Sequence, residues 1–516
     1  MSLISFIQRL GRTIKSELLG HEVTKLLRYT CGDPETDTLD LSIVNQAVLL
    51  KAGRKLVNEK KYRKLLLQHC TREEISRYGF SDRSQMENAL LGNRERFCKK
   101  LNISKEYIDQ VSADHRAPFE YCLPIYDEAI QSKGSPHPYQ LRVKNQLLHS
   151  FNHNIYQRAL CTMPTGAGKT ATANELIIDL IRTNESKKDS PFHFTWIVEG
   201  EILAEQSLKS FQKLWRQKGD QQVQINRYYT GFESCSVPSI PSGTFATFSL
   251  ATNRLENNEW IAHLKQSHLL VIDEAHSANA RTYHQVINTY ARHNPDGKII
   301  GLTATPYRPD DTNTDNLKGL FDQIVAIQEN ESPVSSPIQY LVERDYLSAV
   351  SFNRLSEESN QQEGATYYRE LHKDVLEVAQ AHALEKKTLI IFAESLAHAL
   401  SLRILFERNT IECGLIIGET PQNHRDKLIG QMSDKNDSLS ILINHQILSK
   451  GVDIPGLNSI MILGTVSNPA LALQILGRAM RGPNNGGNAN NSVYLTPSNH
   501  RRLRNLGLLE SIVQSS

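Results

Sequence analysis

Cysteine is scarce in this 516-residue chain. The seven present (Cys31, Cys70, Cys98, Cys122, Cys161, Cys235 and Cys413) are scattered, odd in number and contain no C-x-x-C pair. That argues against a disulfide framework or a zinc site and fits a reducing compartment. Charge of one sign is also lacking: 58 Lys plus Arg stand against 56 Asp plus Glu, a net +2, so composition gives no argument for a polyanionic partner and any such surface must be local. Long apolar runs are missing too. The opening MSLISFIQRLGRTIKSELLG is interrupted by Arg9, Arg12 and Lys15 before a signal segment or membrane span could form, and reads as an amphipathic helix in a cytoplasmic protein with no membrane partner. Short repeats and low-complexity tracts are absent apart from the Asn/Gly-rich stretch Pro483–Ser492, which reads as a mobile surface loop.

What remains is an ordinary globular composition, 39% hydrophobic and 22% charged, in a chain too long for one core. Residues 1–130 read as a mainly helical N-terminal domain, with helix starts at Thr71 (a capping box with Glu74) and Ser104. Their 21 basic and 18 acidic residues do not make a basic arm. From about 135 the chain turns to short, unalternating apolar runs separated by helical patterns: Ala159–Met163, Phe194–Val198, Leu269–Ile272 and Ile299–Leu302. Such runs belong to parallel sheets covered on both faces. A second set follows the Pro/Ser-rich Glu331–Pro337: Thr388–Phe392, Gly414–Ile417, Leu439–Ile443, Ile460–Leu463 and Val493–Leu495. This predicts two α/β domains in tandem, 131–335 and 336–516, hinged near 330–345.

Pro164-Thr-Gly-Ala-Gly-Lys-Thr170 lies between an apolar strand and a helix, the context a phosphate-binding loop requires. Gly166, Ala167 and Gly168 let backbone amides curl around an anion, Lys169 meets the β and γ phosphates of ATP, and the Thr170 hydroxyl can ligate Mg²⁺. Met163 stands where the longer form of the pattern has glycine, so the match is to a shorter variant. Val271-Ile-Asp-Glu-Ala-His276 ends another buried strand. Asp273 there is suited to hold Mg²⁺ through water, and Glu274 to orient and deprotonate an attacking water.

The order P-T-G-A-G-K-T, D-E-A-H and Thr303-Ala-Thr-Pro306 resembles that of superfamily 2 helicases, and V-I-D-E-A-H-S-A-N-A and L-T-A-T-P-Y-R most resemble the group holding the XPB helicase and the type III restriction motor subunits. The resemblance covers residues from about 135 to 500. It implies two tandem RecA-like domains that close on one ATP, and a nucleic-acid strand, DNA favoured over RNA, as partner. Gln474-Ile-Leu-Gly-Arg-Ala-Met-Arg481 matches the family's Q-x-x-G-R-x-x-R motif. One helix would carry Gln474, Arg478 and Arg481 on one face, with both arginines aimed across the cleft at the γ-phosphate. Gly451 and Asp453 match a family element near the nucleotide, although Lys450 stands where many relatives have Glu. Pro138-Tyr-Gln140 resembles the element whose Gln reads the adenine edge. His276 would link the nucleotide site to Gln474 or to the loop of Thr303 and Thr305, the three acting as coupling residues. Gln206, Thr247 and Ser395 would touch the strand, with helix capping as the ordinary alternative for the last two. His276 has no companions at zinc-ligand spacing.

The sequence leaves three roles open: a helicase or translocase, an ATP-gated nucleic-acid clamp or sensor, and the motor subunit of a restriction or phage-defence complex whose separate nuclease docks on residues 1–130. That helical segment is read either as a brace packed on the first motor domain or as a partner-binding or autoinhibitory element.

Overall fold

The computed structural model describes residues 3–33, 38–108, 117–125, 135–185, 190–233, 238–275, 280–304, 319–355, 364–434, 439–445, 454, 456–466 and 469–512. Among them the chain forms a helical region followed by two α/β halves, each built on its own sheet.

The first sheet comprises β1 (Phe119–Cys122), β2 (Arg158–Thr162), β3 (His193–Val198), β4 (Val223–Tyr228), β5 (Ser242–Thr247), β6 (Leu269–Ile272), β7 (Lys298–Thr303) and β8 (Gln323–Ala326), in the order β1-β4-β5-β3-β6-β7-β2-β8. All pairings are parallel except that of β1 with β4. β3, β4, β5 and β6 are buried along their whole length, as expected of strands covered on both faces. A two-stranded ribbon, β9 (Gln328–Glu329) with β10 (Ser332–Pro333), and the helix Pro337–Val342 lead to the second sheet. That sheet is parallel throughout, β11 (Ala349–Arg354), β12 (Leu389–Phe392), β13 (Gly414–Ile416), β14 (Ile441–Asn444), β15 (Ser459–Ile462) and β16 (Asn490–Leu495), in the order β11-β16-β15-β12-β14-β13. The fold is therefore α/β, with tandem parallel-sheet RecA-like domains after a helical region.

The helical region runs from Leu3 to Leu101 in eight helices. Its longest, Leu41–Asn58, is capped by Asp40, whose carboxylate accepts the Ser42 N–H, and buries Ile43, Ala47, Val48, Ala52, Leu56 and Val57 along one face. The expected capping box at Thr71 forms. Its Glu74 also receives a two-pronged hydrogen bond from the Arg9 guanidinium, 2.7 Å on each arm, tying the first helix to the sixth.

This region does not brace the first α/β half. It shares a core with the second: Leu27 and its neighbours pack with Leu371, Val375, Leu402 and Phe406. The helix His21–Cys31 lies against Leu396–Arg408 and Ala365–Glu385, Tyr29 stacks on Tyr368 at 6.2 Å between centroids, and Arg408 donates to the Cys31 carbonyl. The reason is local. Leu396–Arg408 buries side chains all round its circumference, so the sheet can cover one side only and a third layer must cover the other. Among the described residues no helix is long and apolar enough to cross a membrane.

Candidate active site

Three neighbouring strands of the first sheet, β6, β7 and β2, end side by side and deliver the loops that carry the chemistry. After β2 the chain enters the phosphate loop with Gly166 at φ +84° and Gly168 at φ +80°, left-handed conformations that favour glycine. The loop is held from within and from behind. Ala167 N–H donates to the Pro164 carbonyl at 3.1 Å, and the Ala167 carbonyl accepts both the Tyr139 hydroxyl (2.9 Å) and the Gln140 amide (3.1 Å). Lys169 is buried at the first turn of the helix Lys169–Glu185, its ammonium 3.5 Å from the Met163 carbonyl, and Thr170 follows half-buried.

Gln140 is itself buried and engaged at both ends, its amide oxygen accepting the His137 N–H at 2.9 Å. In this structure it caps its own helix and buttresses the phosphate loop, rather than presenting a free amide edge to a base.

After β6, Asp273 and Glu274 sit at the sheet's carboxyl edge. Asp273 N–H donates to Ile197 and Ala275 N–H to Leu302, so the backbone is anchored on either side of Glu274, which is driven to φ +49°. A non-glycine residue there costs about 1–2 kcal/mol, and persists because its surroundings over-determine it. Burial and the adjacent Glu274 charge push the Asp273 carboxyl up to about 6, with Lys169 pulling it back down. A crowded carboxylate beside one ammonium is a donor set that a divalent cation would relieve, and Thr170 supplies a hydroxyl from the facing loop. The residues therefore fit a nucleotide with Mg²⁺. Thr303 ends β7 between the two loops, fully buried, its carbonyl accepting the Met163 N–H.

The second half meets this edge directly. A Cβ placed on Gly477 would fall 2.0 Å from Thr165 Cγ2, and one on Gly166 would fall 3.2 Å from Leu347 Cδ2 and 3.6 Å from the Gly477 carbonyl. The segment bearing Arg478 thus packs on the phosphate loop with no room for a side chain between them.

Its local structure differs from the expected single helix. The α-helix Pro469–Leu476, with Gln474 buried, ends before the arginines. Gly477–Met480 tightens to a 3₁₀ turn, and Arg481 is extended (φ −77°, ψ 115°), forming a β-bridge with Leu347. Arg481 is therefore not on the helical face of Gln474. The α-helix ends before Gly477, whose helix propensity is low, and cannot resume, because Pro483 has no N–H to offer the Ala479 carbonyl; Asn491 takes that carbonyl instead, and Ser348 takes that of Arg481.

The Asn/Gly-rich stretch is exposed along much of its length but is tied to its neighbours. It folds back on the arginines: Gly482 and Gly487 lie so close to the backbones of Asp345–Leu347 and Arg481 that a Cβ would overlap them.

Among the remaining predicted positions, Thr247 ends β5 beside Val198 of β3. It occupies the N-cap position of Phe248–Asn253 without making the cap bond. Gln206 is half-buried in the helix Glu201–Lys218, which follows β3. Ser395 is an ordinary N-cap, its hydroxyl accepting the His398 N–H at 3.1 Å. His276, Thr305, Gly451 and Asp453 lie outside the described residues. The sequence reading missed Tyr139, Leu347 and the asparagines around Arg481. For the last, the density of Asn and Gly next to the arginine motif was the available signal.

Comparison with known proteins supports a helicase-type core. The family described as "Type III restriction enzyme, res subunit" matches residues 133–308, and "Helicase conserved C-terminal domain" matches residues 370–483. The Schizosaccharomyces pombe protein named "Putative mitochondrial ATP-dependent helicase irc3" is 26% identical over 359 residues, 67% of this chain and 54% of that protein. The chain thus spans about half the length of the curated relatives it matches. Two solved structures share the fold. The helicase MrfA bound to DNA has a TM-score of 0.53 at 16% identity, covering 77% of this chain and 54% of that one. Dbp5 of Saccharomyces cerevisiae, bound to RNA and ADP BeF3, has a TM-score of 0.51 at 19% identity, covering 75% and 90%.

Proposed function

We propose that this chain, a superfamily 2 helicase by its two family matches and so an ATP-hydrolysing enzyme, moves along a nucleic-acid strand, DNA in preference to RNA, by opening and closing its two sheets around one ATP. The observation that carries this reading is the packing of Gly477 on Thr165, which sets Arg478 against the phosphate loop. In this scheme Lys169 and the loop amides bind the phosphates, Thr170 and Asp273 hold Mg²⁺, and Glu274 orients the attacking water and takes its proton. Bound Mg²⁺ supplies charge neutralisation on the phosphates. Arg478 and Arg481 stabilise the charge that develops on the γ-phosphate, a contribution of about 10³ to 10⁵ in rate in nucleotide hydrolases. ATP favours the closed form because it interacts with both halves there, and hydrolysis removes that preference. Gln206 and Thr247 from one half and the Ser395 turn from the other would grip the strand through backbone and hydroxyl contacts that do not read sequence.

The match to a restriction res subunit favours a second reading, in which this is the motor of a larger complex whose nuclease is a separate chain. The deciding measurement is steady-state ATPase with no polymer, single-stranded DNA, duplex DNA and single-stranded RNA, with Lys169→Ala as the blank and Glu274→Gln as a variant that binds ATP but does not turn over. Stimulation by DNA, with strand displacement beyond the bound footprint, supports the motor. Turnover indifferent to every polymer would sink it in favour of a partner-gated switch, and wild-type turnover by Glu274→Gln would remove that residue from its role.

A further inference from the structure

The segment bearing Arg478 and Arg481 is held by a set of neutral amides. Asn491, buried at the start of β16, donates to the Ala479 carbonyl at 2.7 Å and to the Ser348 hydroxyl at 3.1 Å. Ser348, buried just before β11, donates through its hydroxyl to the carbonyls of Arg481 and Asn488, while its N–H bonds Met480 O at 3.0 Å. Asn485 donates to the Tyr346 carbonyl at 2.8 Å, accepts the Arg481 Nε–H on its own carbonyl, and meets His137 Nε2 of the first half at 2.8 Å. One network therefore joins the segment Tyr346–Ser348, which leads into β11, the arginine segment and the helix start behind the phosphate loop.

Such a network has a positional consequence. The carbonyls of Ala479, Met480 and Arg481 are taken by donors outside the helix, which fixes where the 3₁₀ turn places the two arginines. Ser348 and Asn491 sit at the adjoining starts of β11 and β16, strands of the second sheet. Asn485 also reaches His137 of the first half, so the approach of the two halves is felt at the arginine segment without passing through the nucleotide.

We propose that Asn491, Ser348 and Asn485 are positioning residues for hydrolysis, forming a cradle that sets the two arginines within the second half and, through Asn485 and His137, couples their placement to closure. The inference rests on the proposed role of Arg478 and Arg481.

The test is a kinetic cycle on the full chain. Asn491→Ala, Ser348→Ala and Asn485→Ala are each expected to lower kcat on the order of 10- to 100-fold, because a shift of about 1 Å in a catalytic group is costly. The KM for ATP should stay near wild type, and so should the melting temperature of Asn485→Ala; the buried Asn491 and Ser348, whose removal strips partners from carbonyls, should each lower it. Affinity for ADP with aluminium fluoride, which mimics the transferring phosphate, should fall while affinity for ADP alone holds. Added to Arg478→Ala/Arg481→Ala, each substitution should cost nothing further, since its effect runs through the arginines. A kcat within threefold of wild type in all three, or full additivity with the double arginine variant, overturns the cradle. Should Asn491→Ala not fold, the half-buried Asn485 decides alone. Failure of the wild type to hydrolyse ATP, or indifference to loss of both arginines, would strike the functional reading instead.

Discussion

Gly477→Ala is the sharpest perturbation the interface offers. A Cβ there would fall 2.0 Å from Thr165 Cγ2 and 2.7 Å from Thr165 Cβ. Rotation about χ1 of Thr165 can move the methyl but not the Cβ, and carbon atoms in contact sit at roughly 3.5–4.0 Å. The arginine segment and the phosphate loop must then part by about 1 Å, a displacement worth on the order of 10²-fold in rate at a catalytic group. Folding is not the casualty. Gly477 is not among the positive-φ residues, so alanine is conformationally acceptable and gains up to about 1 kcal/mol of helix propensity. The expected result is kcat down about 100-fold, with binding of a fluorescent ATP analogue retained and a melting temperature no lower than wild type. Steady-state ATPase, analogue titration and a thermal melt read the three quantities. A folded Gly477→Ala protein with kcat within threefold of wild type would refute the argument that this closed contact is the catalytic arrangement.

Three further outcomes concern stability. The Arg9 guanidinium holds the Glu74 carboxyl down at about 2, against an ordinary 4.5, so the pair's stabilisation is complete above about pH 4.5 and is lost as pH falls toward 2. Glu74→Gln should therefore cost up to about 3 kcal/mol at pH 7. In urea titrations its deficit should narrow below pH 4.5, and a constant deficit would contradict the assignment. Burial depresses His193 to about 4 and His263 and His398 to about 3, and lowers His372, which shares a 2.9 Å Nε2···Nε2 contact with His398. These histidines take up protons on unfolding below about pH 6.5, so the urea midpoint should fall steadily from pH 7 to pH 5, where a flat profile is the refuting result. Leu27→Ala, fully buried between the helical region and the second sheet's helices, should cost about 2–5 kcal/mol and lower the unfolding of both together. A second α/β half that unfolds at its wild-type midpoint would show them to be separate units.

The strands that carry the nucleotide site were legible because each is a short apolar run followed by a distinctive loop. The predicted runs at 159–163, 194–198, 269–272 and 299–302 coincide, within a residue or so at each end, with β2, β3, β6 and β7. β4 and β5 escaped notice because Gln224, Asn226, Arg227, Ser242 and Thr244 are polar yet buried. Their burial is compensated by long-range bonds, such as Arg227 to Glu205 and Asn226 to Thr244, that no local pattern encodes. The arrangement of the arginines was hidden for a related reason: spacing at i, i+4 and i+7 says what a helix would do, whereas the bonds that hold Ala479 and Arg481 otherwise come from Asn491, 12 residues on, and Ser348, 133 residues back. Of the site, the loop glycines, Lys169, Asp273 and Glu274 could be named from sequence. The strain at Glu274 and the double duty of Gln140 could not.

The position of the helical region has a signature that the sequence did contain. In the second sheet, Ile390 and Phe392 of β12 face one core and Leu389 and Ile391 face the other, which is why the run is apolar without alternation. A helix covering such a sheet ordinarily keeps a polar outer face. Leu396–Arg408 instead buries nine residues, Ala397 to Leu402 and Ile404 to Phe406, leaving little of its circumference for water. A helix buried on nearly all sides requires a further layer over the face that the sheet does not cover. The helices from Leu3 to Leu101 expose apolar faces of matching kind, and the shared core is where the two demands meet. Once that core forms, the helical region and the second sheet constitute one body.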